Sequence, residues 1–450
     1  MPASFSLEIP LYACDNEGTQ RGWVVNRYFL VAATAVVLSV SSLSAAEPDF
    51  DQGVRVLPVL EQARESSGVK SISPKQEGVP QADSDLWIVV SKQDAAALGT
   101  DFGFDRRVAL AANPVASLYQ TKESEIGELT ELMHKRFGKC GGFFAFDSRE
   151  KAMAALSAPE GASAPGRYSV DQAEAVEPMI AAVQEEGVRS VIERLSAYKN
   201  RYFKSETGAS SARSIADQWK GLFPGRSDVS VELFSHSWAQ PSVILTISGS
   251  KNPEEIVVLG GHEDSISGWS GSDATAPGAD DDASGIATLT EALRVIAASG
   301  YRPGRTVKVM AYAAEEVGLR GSKEIAGAFK GKSVVGVLQL DMTNYQGSSE
   351  DIYLIADHTD ASQNAFLGKL IDRYLSGVKW SQTKCGYACS DHASWTSSGF
   401  AASFPFEAKM GEESPHIHTP KDTLSQSGGH AKHAAKFAKL AVAYVVETAK

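Results

Sequence analysis

The chain is poor in cysteine, in positive charge and in long apolar segments. Its 450 residues include only 4 cysteines, which is too few for a disulfide-built scaffold. Acidic residues outnumber basic ones by 55 to 43, giving a formal net charge of −12, so the chain lacks the basic surface that nucleic-acid binding requires. The composition is 43% apolar and 22% charged, which is typical of a globular protein and argues against a membrane protein with several spans.

The N-terminal region has the three parts of a secretory signal peptide. Arg21 and Arg27 precede an apolar stretch at residues 29–40, and small residues follow as far as Ala46. The apolar stretch is shorter than the roughly 20 residues that a membrane-spanning helix needs. Cleavage after Ala46 is therefore favoured over a retained membrane anchor. The prediction is a leader at residues 1–46, with an unusual upstream extension, and a secreted protein with no stable membrane association after leader removal. A periplasmic stage in transit stays open.

Residues 47–172 are predicted to form a separate α+β unit. Residues 85–91 and 141–146 have the pattern of strands, and apolar residues recur at helical spacing within 124–137. A run of Ser, Ala, Pro and Gly at residues 157–166 is typical of an exposed linker, where proteases cut.

From residue 173 to residue 450, predicted strands and helices alternate. Such alternation is typical of an α/β fold, here a mixed, mostly parallel central sheet with helices on both faces. The predicted strands lie at residues 255–261, 306–313, 333–341 and 400–407, and the predicted helices at residues 178–197, 284–298 and 428–448.

Acidic and imidazole side chains follow the predicted strands of this region. Ligands of open α/β sheets bind beyond the carboxyl ends of the strands. Zinc takes nitrogen and oxygen ligands, and a pair of metal ions needs a shared carboxylate. Each group alone has an ordinary explanation, such as a helix N-cap for the aspartate triplet, but buried acids cost too much without a cation. Together they indicate a dimetal hydrolase. The groups are His262 and Asp264, Asp280 to Asp282, Glu315 and Glu316, Asp341, and His416 and His418.

Long sequence strings in the same region resemble the secreted bacterial leucyl aminopeptidases that carry a co-catalytic pair of zinc ions. The resemblance extends from about Val176 to the C-terminus. The strings are Gly-Gly-His262-Glu-Asp264-Ser, Ala-Pro-Gly-Ala-Asp280-Asp-Asp-Ala-Ser-Gly, Ala-Tyr-Ala-Ala-Glu315-Glu316-Val-Gly-Leu-Arg-Gly, Leu-Gln-Leu-Asp341-Met-Thr-Asn-Tyr, Cys385-Gly-Tyr-Ala-Cys389-Ser-Asp-His and His416-Ile-His418-Thr.

The resemblance implies two zinc ions per chain and a role for each ligand. His262 and Asp341 would hold one ion, and Glu316 and His418 would hold the other. Asp281 would bridge the two ions. His416 lies close to His418 in sequence, but the family pattern points to His418.

Other roles follow from the same resemblance. Glu315 would be the general base, and Asp264 would orient His262. A disulfide would join Cys385 to Cys389, as the oxidising environment behind a leader permits. The pocket for the first side chain of the substrate would be apolar, although two of its phenylalanines could equally be core residues of a strand. This pocket would be lined by Met342, Tyr387, Phe404 and Phe406.

The middle unit matches the propeptide region of these enzymes more weakly, through Gly138-Lys-Cys-Gly-Gly142. This similarity implies an intramolecular chaperone and inhibitor that is removed by cleavage. The alternative is a permanent accessory domain.

The expected function is zinc-dependent release of large hydrophobic N-terminal residues, such as leucine, from peptides with a free N-terminus. By the same resemblance the chain is expected to be a monomer. A dimetal carboxypeptidase or dipeptidase is the main alternative. It would need a basic anchor for the substrate carboxylate, and Arg320 is the only basic residue within the quoted strings. A non-enzymatic receptor is disfavoured because no ligand is missing.

Overall fold

A computed structural model describes residues 83–157, 168–268 and 270–450. The predicted leader at residues 1–46 and most of the predicted linker lie outside the described residues. No helix in the described part of the chain is long and apolar enough to cross a membrane.

The N-terminal part of the described chain is a small α+β unit, in agreement with its strand and helix patterns. Its four strands form an antiparallel sheet in the order β2-β3-β1-β4. The elements are β1 (Asp85–Ser91), α1 (Lys92–Ala97), β2 (Ala111–Ala112), β3 (Ala116–Lys122), α2 (Ile126–Phe137), β4 (Phe143–Phe146) and α3 (Arg149–Ser157).

The larger part of the chain has a six-stranded central sheet in the order β12-β9-β7-β8-β6-β5 and a three-stranded sheet in the order β11-β10-β13. Its helices are α4 (Ala173–Ala181), α5 (Glu185–Ser196), α6 (Glu206–Gly221), α7 (Ala283–Ala298), α8 (Arg320–Ala328), α9 (Ala361–Tyr374), α10 (His392–Ser397) and α11 (Ala434–Thr448). Its strands are β5 (Val229–Phe234), β6 (Ser242–Ile247), β7 (Asn252–His262), β8 (Arg305–Tyr312), β9 (Ser333–Gln339), β10 (Ile352–Ile355), β11 (Trp380–Thr383), β12 (Ala402–Ser403) and β13 (Pro405–Phe406).

The central sheet is mixed and mostly parallel, as the sequence predicts. Strands β12, β9, β7 and β8 run parallel, while β6 and β5 are antiparallel to their neighbours. Side chains of β7 alternate between two buried cores, because successive residues of a strand point to opposite faces. Val257 and Leu259 pack in the core that contains α7 and α11, whereas Ile256 and Val258 pack with residues of α8. Helices therefore cover both faces.

Two predicted elements are wrong in detail. The predicted helix at residues 178–197 is two helices, α4 and α5. The chain turns between them because the Gln184 amide donates to the buried carboxylate of Glu291 at 2.6 Å, a tertiary contact that sequence periodicity cannot reveal. The predicted strand at residues 400–407 is divided into β12 and β13, which belong to different sheets.

The small unit packs directly on the larger part. Phe143 of β4 shares a buried core with Phe203 and Val317. The Thr130 hydroxyl donates to the backbone carbonyl of Glu316 at 3.1 Å. The small unit therefore lies over the end of β8, where one of the predicted site motifs begins.

Ion pairs also join the small unit to the larger part of the chain. The Glu123 carboxylate lies 2.7 Å from Arg320 and 2.8 Å from Lys204. Burial alone would raise the pKa of Glu123, but the two cations outweigh it and lower the pKa. The carboxylate is therefore ionised and paired at neutral pH.

Candidate active site

The predicted metal ligands converge at the carboxyl ends of three neighbouring parallel strands. His262 is the last residue of β7, and Asp341 follows β9 by two residues. Glu315 and Glu316 follow β8 through a turn in which Ala314 has a left-handed φ of 58°. Because parallel strands end at the same edge of a sheet, these side chains meet there.

The Asp281 carboxylate lies between two histidines that are 156 residues apart in sequence. Its Oδ1 is 2.9 Å from His262 Nε2, and its Oδ2 is 3.2 Å from His418 Nε2. On the His262 side, Asp341 Oδ1 lies 3.5 Å from His262 Nε2. On the other side, Glu316 Oε2 lies 2.7 Å from His418 Nε2. The five side chains thus form two groups that share Asp281.

The residues present fit a pair of zinc ions. All five side chains are buried, with exposures of 7% or less. Zinc is bound by imidazole nitrogen and carboxylate oxygen, and buried charged atoms without partners are costly unless a cation satisfies them. Among the described residues, several of these ligand atoms lack a well-directed hydrogen-bond partner: Asp281 Oδ2, Glu316 Oε1 and Oε2, Asp341 Oδ1 and His418 Nε2.

Burial and the neighbouring charges act in opposite directions on these acids. Burial alone would raise the pKa of Asp281, but His262 and His418 hold it well below its usual range. For Glu316, burial dominates and raises the pKa to about 7. Asp281 is therefore the acid most firmly held as a carboxylate, as a residue shared by two cations must be.

Asp264 supports the cluster without joining it. Its carboxylate accepts the backbone N–H of Glu315 at 3.0 Å and of Glu316 at 3.3 Å. The same carboxylate lies 3.4 Å from His262 Nδ1, which is the ring nitrogen that faces away from Asp281. One buried acid thus positions both the histidine and the glutamate pair.

Asp282 has a different role from its neighbour Asp281. The peptide bond between them is cis. Although Asp282 lies close to His262 and Asp341, three backbone amides occupy its carboxylate: those of His262 at 3.0 Å, Gly285 at 2.7 Å and Met342 at 3.2 Å. Asp282 therefore caps α7 and ties three motif segments together, which leaves Asp281 as the acid that faces the histidines.

Glu315 differs from Glu316 in the direction it faces. Glu315 lines a small cavity beside His262, Asp281 and Asp341, and its Oε1 has no hydrogen-bond partner among the described residues. Burial raises the pKa of the Glu315 carboxyl well above its ordinary value. A carboxylate beside the cluster with a raised pKa is suited to accept a proton near neutral pH.

The wall of the same cavity is apolar. The predicted pocket residues all line it, together with Cys389, Met410 and Ile417. The predicted disulfide between Cys385 and Cys389 is present. The cavity measures about 20 Å³, room for about one water molecule. It is thus too small for an amino-acid side chain, and residues of the small unit contribute to its closure. The predicted pocket residues on this wall are Met342, Tyr387, Phe404 and Phe406.

Comparisons with known proteins agree with this geometry. Residues 242–445 match the sequence profile of peptidase family M28. A probable leucine aminopeptidase of Arthroderma benhamiae is 35% identical over 343 residues, which cover 75% of this chain and 93% of the relative.

The chain belongs to peptidase family M28.

Solved structures extend the agreement to the fold of this M28 enzyme. The LapA aminopeptidase of Legionella pneumophila superposes with a TM-score of 0.72 at 28% identity, covering 82% of this chain and 99% of LapA. LapB of the same organism gives a TM-score of 0.70 at 29% identity, covering 81% of this chain and 100% of LapB. The protein is accordingly a zinc-dependent aminopeptidase.

Sequence reasoning missed several residues of the M28 site. Ser390 donates to Asp341 Oδ2 at 2.6 Å, and the Asp422 carboxylate accepts the amides of Asp280 and Asp281 at 3.0 and 3.1 Å. Glu413 adds a further acid to the cavity wall, beside Asp281, Glu315 and Asp341. Ser390 stands within a quoted string, but no local signal marks Asp422 or Glu413.

Three histidines outside the ligand set have surroundings that the sequence does not reveal. His134, on α2 of the small unit, lies with its ring centroid 4.6 Å from that of His418. The His236 side chain is buried, between Glu324 and Ser242, and His433 is 3% exposed. Among the described residues, neither His416 nor His392 belongs to a group of candidate metal ligands.

Proposed function

We propose that this M28 enzyme is a secreted aminopeptidase that binds two zinc ions and hydrolyses the first peptide bond of peptides with a free N-terminus. The observation that carries the proposal is the position of Asp281, whose two carboxylate oxygens face His262 and His418 at 2.9 and 3.2 Å. Each histidine has a further acid beside it. One ion would be held by His262, Asp341 and Asp281, and the other by His418, Glu316 and Asp281.

When bound, zinc supplies Lewis acidity toward the substrate carbonyl and lowers the pKa of water. The chain's own residues supply the proton transfers. Glu315 accepts a proton from the attacking water and later gives it to the leaving amine. Asp264 holds the Glu315 backbone at 3.0 Å, so the carboxylate of the base stays aimed at the cavity.

The lining of the cavity supports an aminopeptidase rather than a carboxypeptidase. In the part of the chain that the structure describes, no lysine or arginine lines it, whereas Glu315 and Glu413 do. Carboxylates suit the cationic amine of a peptide, and a substrate carboxylate would need a basic partner. Arg320, the candidate anchor, does not line this cavity and stacks on Trp238, which belongs to the larger part of the chain.

The apolar wall supports a preference for large hydrophobic first residues such as leucine. Phe404 and Phe406 are both buried, at 1% and 4% exposure, and Met342 and Tyr387 complete the surface. An apolar pocket gains binding free energy in proportion to the apolar area it covers, so leucine is favoured over alanine.

The small unit is proposed as an inhibitor that is removed after secretion. Its packing over the end of β8 and the residual cavity of about 20 Å³ support this role, since substrate pockets for small molecules measure roughly 300–1,000 Å³. We further propose that the leader is removed on secretion and that the linker is the site of cleavage. The processed enzyme would act as a monomer.

Metal removal tests the proposal. In the processed enzyme, we expect a chelator to reduce hydrolysis of leucine p-nitroanilide to background, because substrate polarisation depends on the ions. Activity should return after addition of two molar equivalents of zinc. The zinc content of each sample is measured by atomic absorption, and the hydrolysis rate is measured on the same sample. The Asp281→Ala variant should not recover, because both ligand groups share this side chain. Full activity in metal-free enzyme would contradict the proposal.

A further inference from the structure

Cys140 stands at the tip of a glycine-rich loop of the small unit. Helix α2 ends at Gly138, whose φ is 61°, and the two residues after the cysteine, Gly141 and Gly142, have φ of 64° and 78°. These are left-handed backbone conformations that residues other than glycine rarely adopt. The loop therefore makes a tight reversal with the Cys140 thiol at its centre.

The loop is fixed on both sides of the cysteine. The Lys139 ammonium lies 2.7 Å from both oxygens of the Asp94 carboxylate within the small unit. The backbone N–H of Cys140 donates to the Tyr387 hydroxyl at 3.0 Å. The loop is thus held against the wall of the substrate cavity, where Cys140 packs with the apolar residues of that wall.

The sulfur lies among the candidate metal ligands. Cys140 Sγ, a carboxylate oxygen of Asp281 and a ring nitrogen of His418 all lie within 4.8 Å of one another. The His418 side chain is 3% exposed, and its Nε2 has no well-directed hydrogen-bond partner among the described residues. The same nitrogen lies 2.7 Å from Glu316 Oε2 and 3.2 Å from Asp281 Oδ2, so the sulfur adds one more candidate ligand atom to the group around His418.

We propose that in the uncleaved chain the Cys140 thiolate is a fourth protein ligand of the zinc ion held by His418, Glu316 and Asp281. This inference rests on the proposed function. Zinc sites with three protein ligands leave one position for water, and cysteine sulfur is among the strongest zinc ligands. The thiol loses its proton to solvent on binding. Removal of the small unit breaks the sulfur–zinc bond, and water takes the position.

The inference assigns the small unit a chemical means of inhibition in addition to the steric one. To block the cavity sterically, any side chain that fills it would be sufficient, such as an apolar side chain at position 140. A thiolate ligand also occupies the coordination position that catalysis requires, so the chain stays inactive even when the loop leaves room for a peptide.

Cobalt substitution tests the inference by spectroscopy rather than activity. Full chain carrying Cys14→Ser would be isolated unprocessed and loaded with Co²⁺. Because Cys385 and Cys389 are joined in a disulfide, Cys140 is then the only free thiol. We expect a thiolate-to-cobalt charge-transfer band in the near ultraviolet, and its complete loss after Cys140→Ser or after proteolytic removal of the small unit. The control Ser148→Ala, in the same unit, should keep the band.

The outcomes separate this inference from the proposed function. Two bound cobalt ions without the band would overturn the cysteine ligand alone, as would a band that survives Cys140→Ser or removal of the small unit. A chain that binds no cobalt would overturn the metal centre and the proposed function with it. If Cys140→Ser does not fold, removal of the unit from the Cys14→Ser chain gives the same comparison.

Discussion

Replacement of Glu315 by glutamine should lower kcat about 10²- to 10⁴-fold, which is the usual contribution of a general base, while the enzyme keeps both zinc ions. Glutamine has nearly the same shape but cannot accept the proton of the attacking water. Glu315 lines the cavity, whereas the ligand groups around His262 and His418 are complete without it. The measurement is hydrolysis of leucine p-nitroanilide by processed enzyme, with metal content determined on the same sample.

Glu316→Gln is the matched control, because it makes the same chemical change at the next residue. Glu316 Oε2 lies 2.7 Å from His418 Nε2, so this variant should lose or weaken one of the two zinc ions. KM of Glu315→Gln should change little, since an interaction made only in the transition state affects kcat. Loss of zinc from Glu315→Gln, or activity within about tenfold of the parent enzyme, would show that Glu315 is a ligand or a bystander rather than the base.

Removal of the small unit should raise kcat/KM about 10- to 1,000-fold. Minor conformations of a protein are commonly populated at 0.1–10%, and only an undocked minority of uncleaved chains could admit substrate. The interface explains why that minority is small: Phe143 and Phe203 belong to one buried core, and Glu123 is paired with Arg320 and Lys204. The test compares leucine p-nitroanilide hydrolysis before and after cleavage in the predicted linker.

The control for this experiment is a cleaved sample from which the small unit has not yet dissociated. It should remain near the activity of the uncleaved chain, because docking and not the covalent link closes the cavity. Dilution or separation of the unit should then release the activity. Equal rates in the uncleaved chain and in the isolated larger part would favour a permanent accessory domain instead.

The sequence predicted the parts of the fold that depend on local pattern. Short apolar runs rich in β-branched residues, such as residues 255–261 and 306–313, favour strands of a covered sheet, and they appear as β7 and β8. Because parallel strands share an edge, the residues after them could be placed together before any coordinates. His262, Asp341 and the glutamate pair follow this rule.

What could not be predicted depends on contacts between distant segments. Asp281 and Asp282 are adjacent and chemically identical, yet backbone amides from three segments occupy Asp282 and leave Asp281 to face the histidines. The resemblance to known enzymes pointed to Asp281 as the shared ligand, whereas the spacing of the residues in the sequence could not distinguish it from Asp282. Asp422 accepts the amide of Asp280, which is 142 residues away in the chain, and no sequence pattern encodes such a pairing.

Cys140 shows the same limit most clearly. Its glycine-flanked motif resembles a propeptide region, but nothing in the sequence indicates a partner for the thiol, because the partners belong to another part of the chain. Docking of the small unit brings the sulfur to Asp281 and His418. The roles of paired residues across an interface therefore become visible only when both surfaces are in place.

The requirement for a free N-terminus is tested with two peptides that differ only there. Processed, zinc-loaded enzyme would be incubated with Leu-Gly-Gly and with its N-acetylated form, and the released amino acids would be identified by mass spectrometry. We expect leucine to be released from the free peptide and the acetylated peptide to stay intact. Hydrolysis of the acetylated peptide at a comparable rate, or release of the C-terminal glycine first, would contradict this expectation.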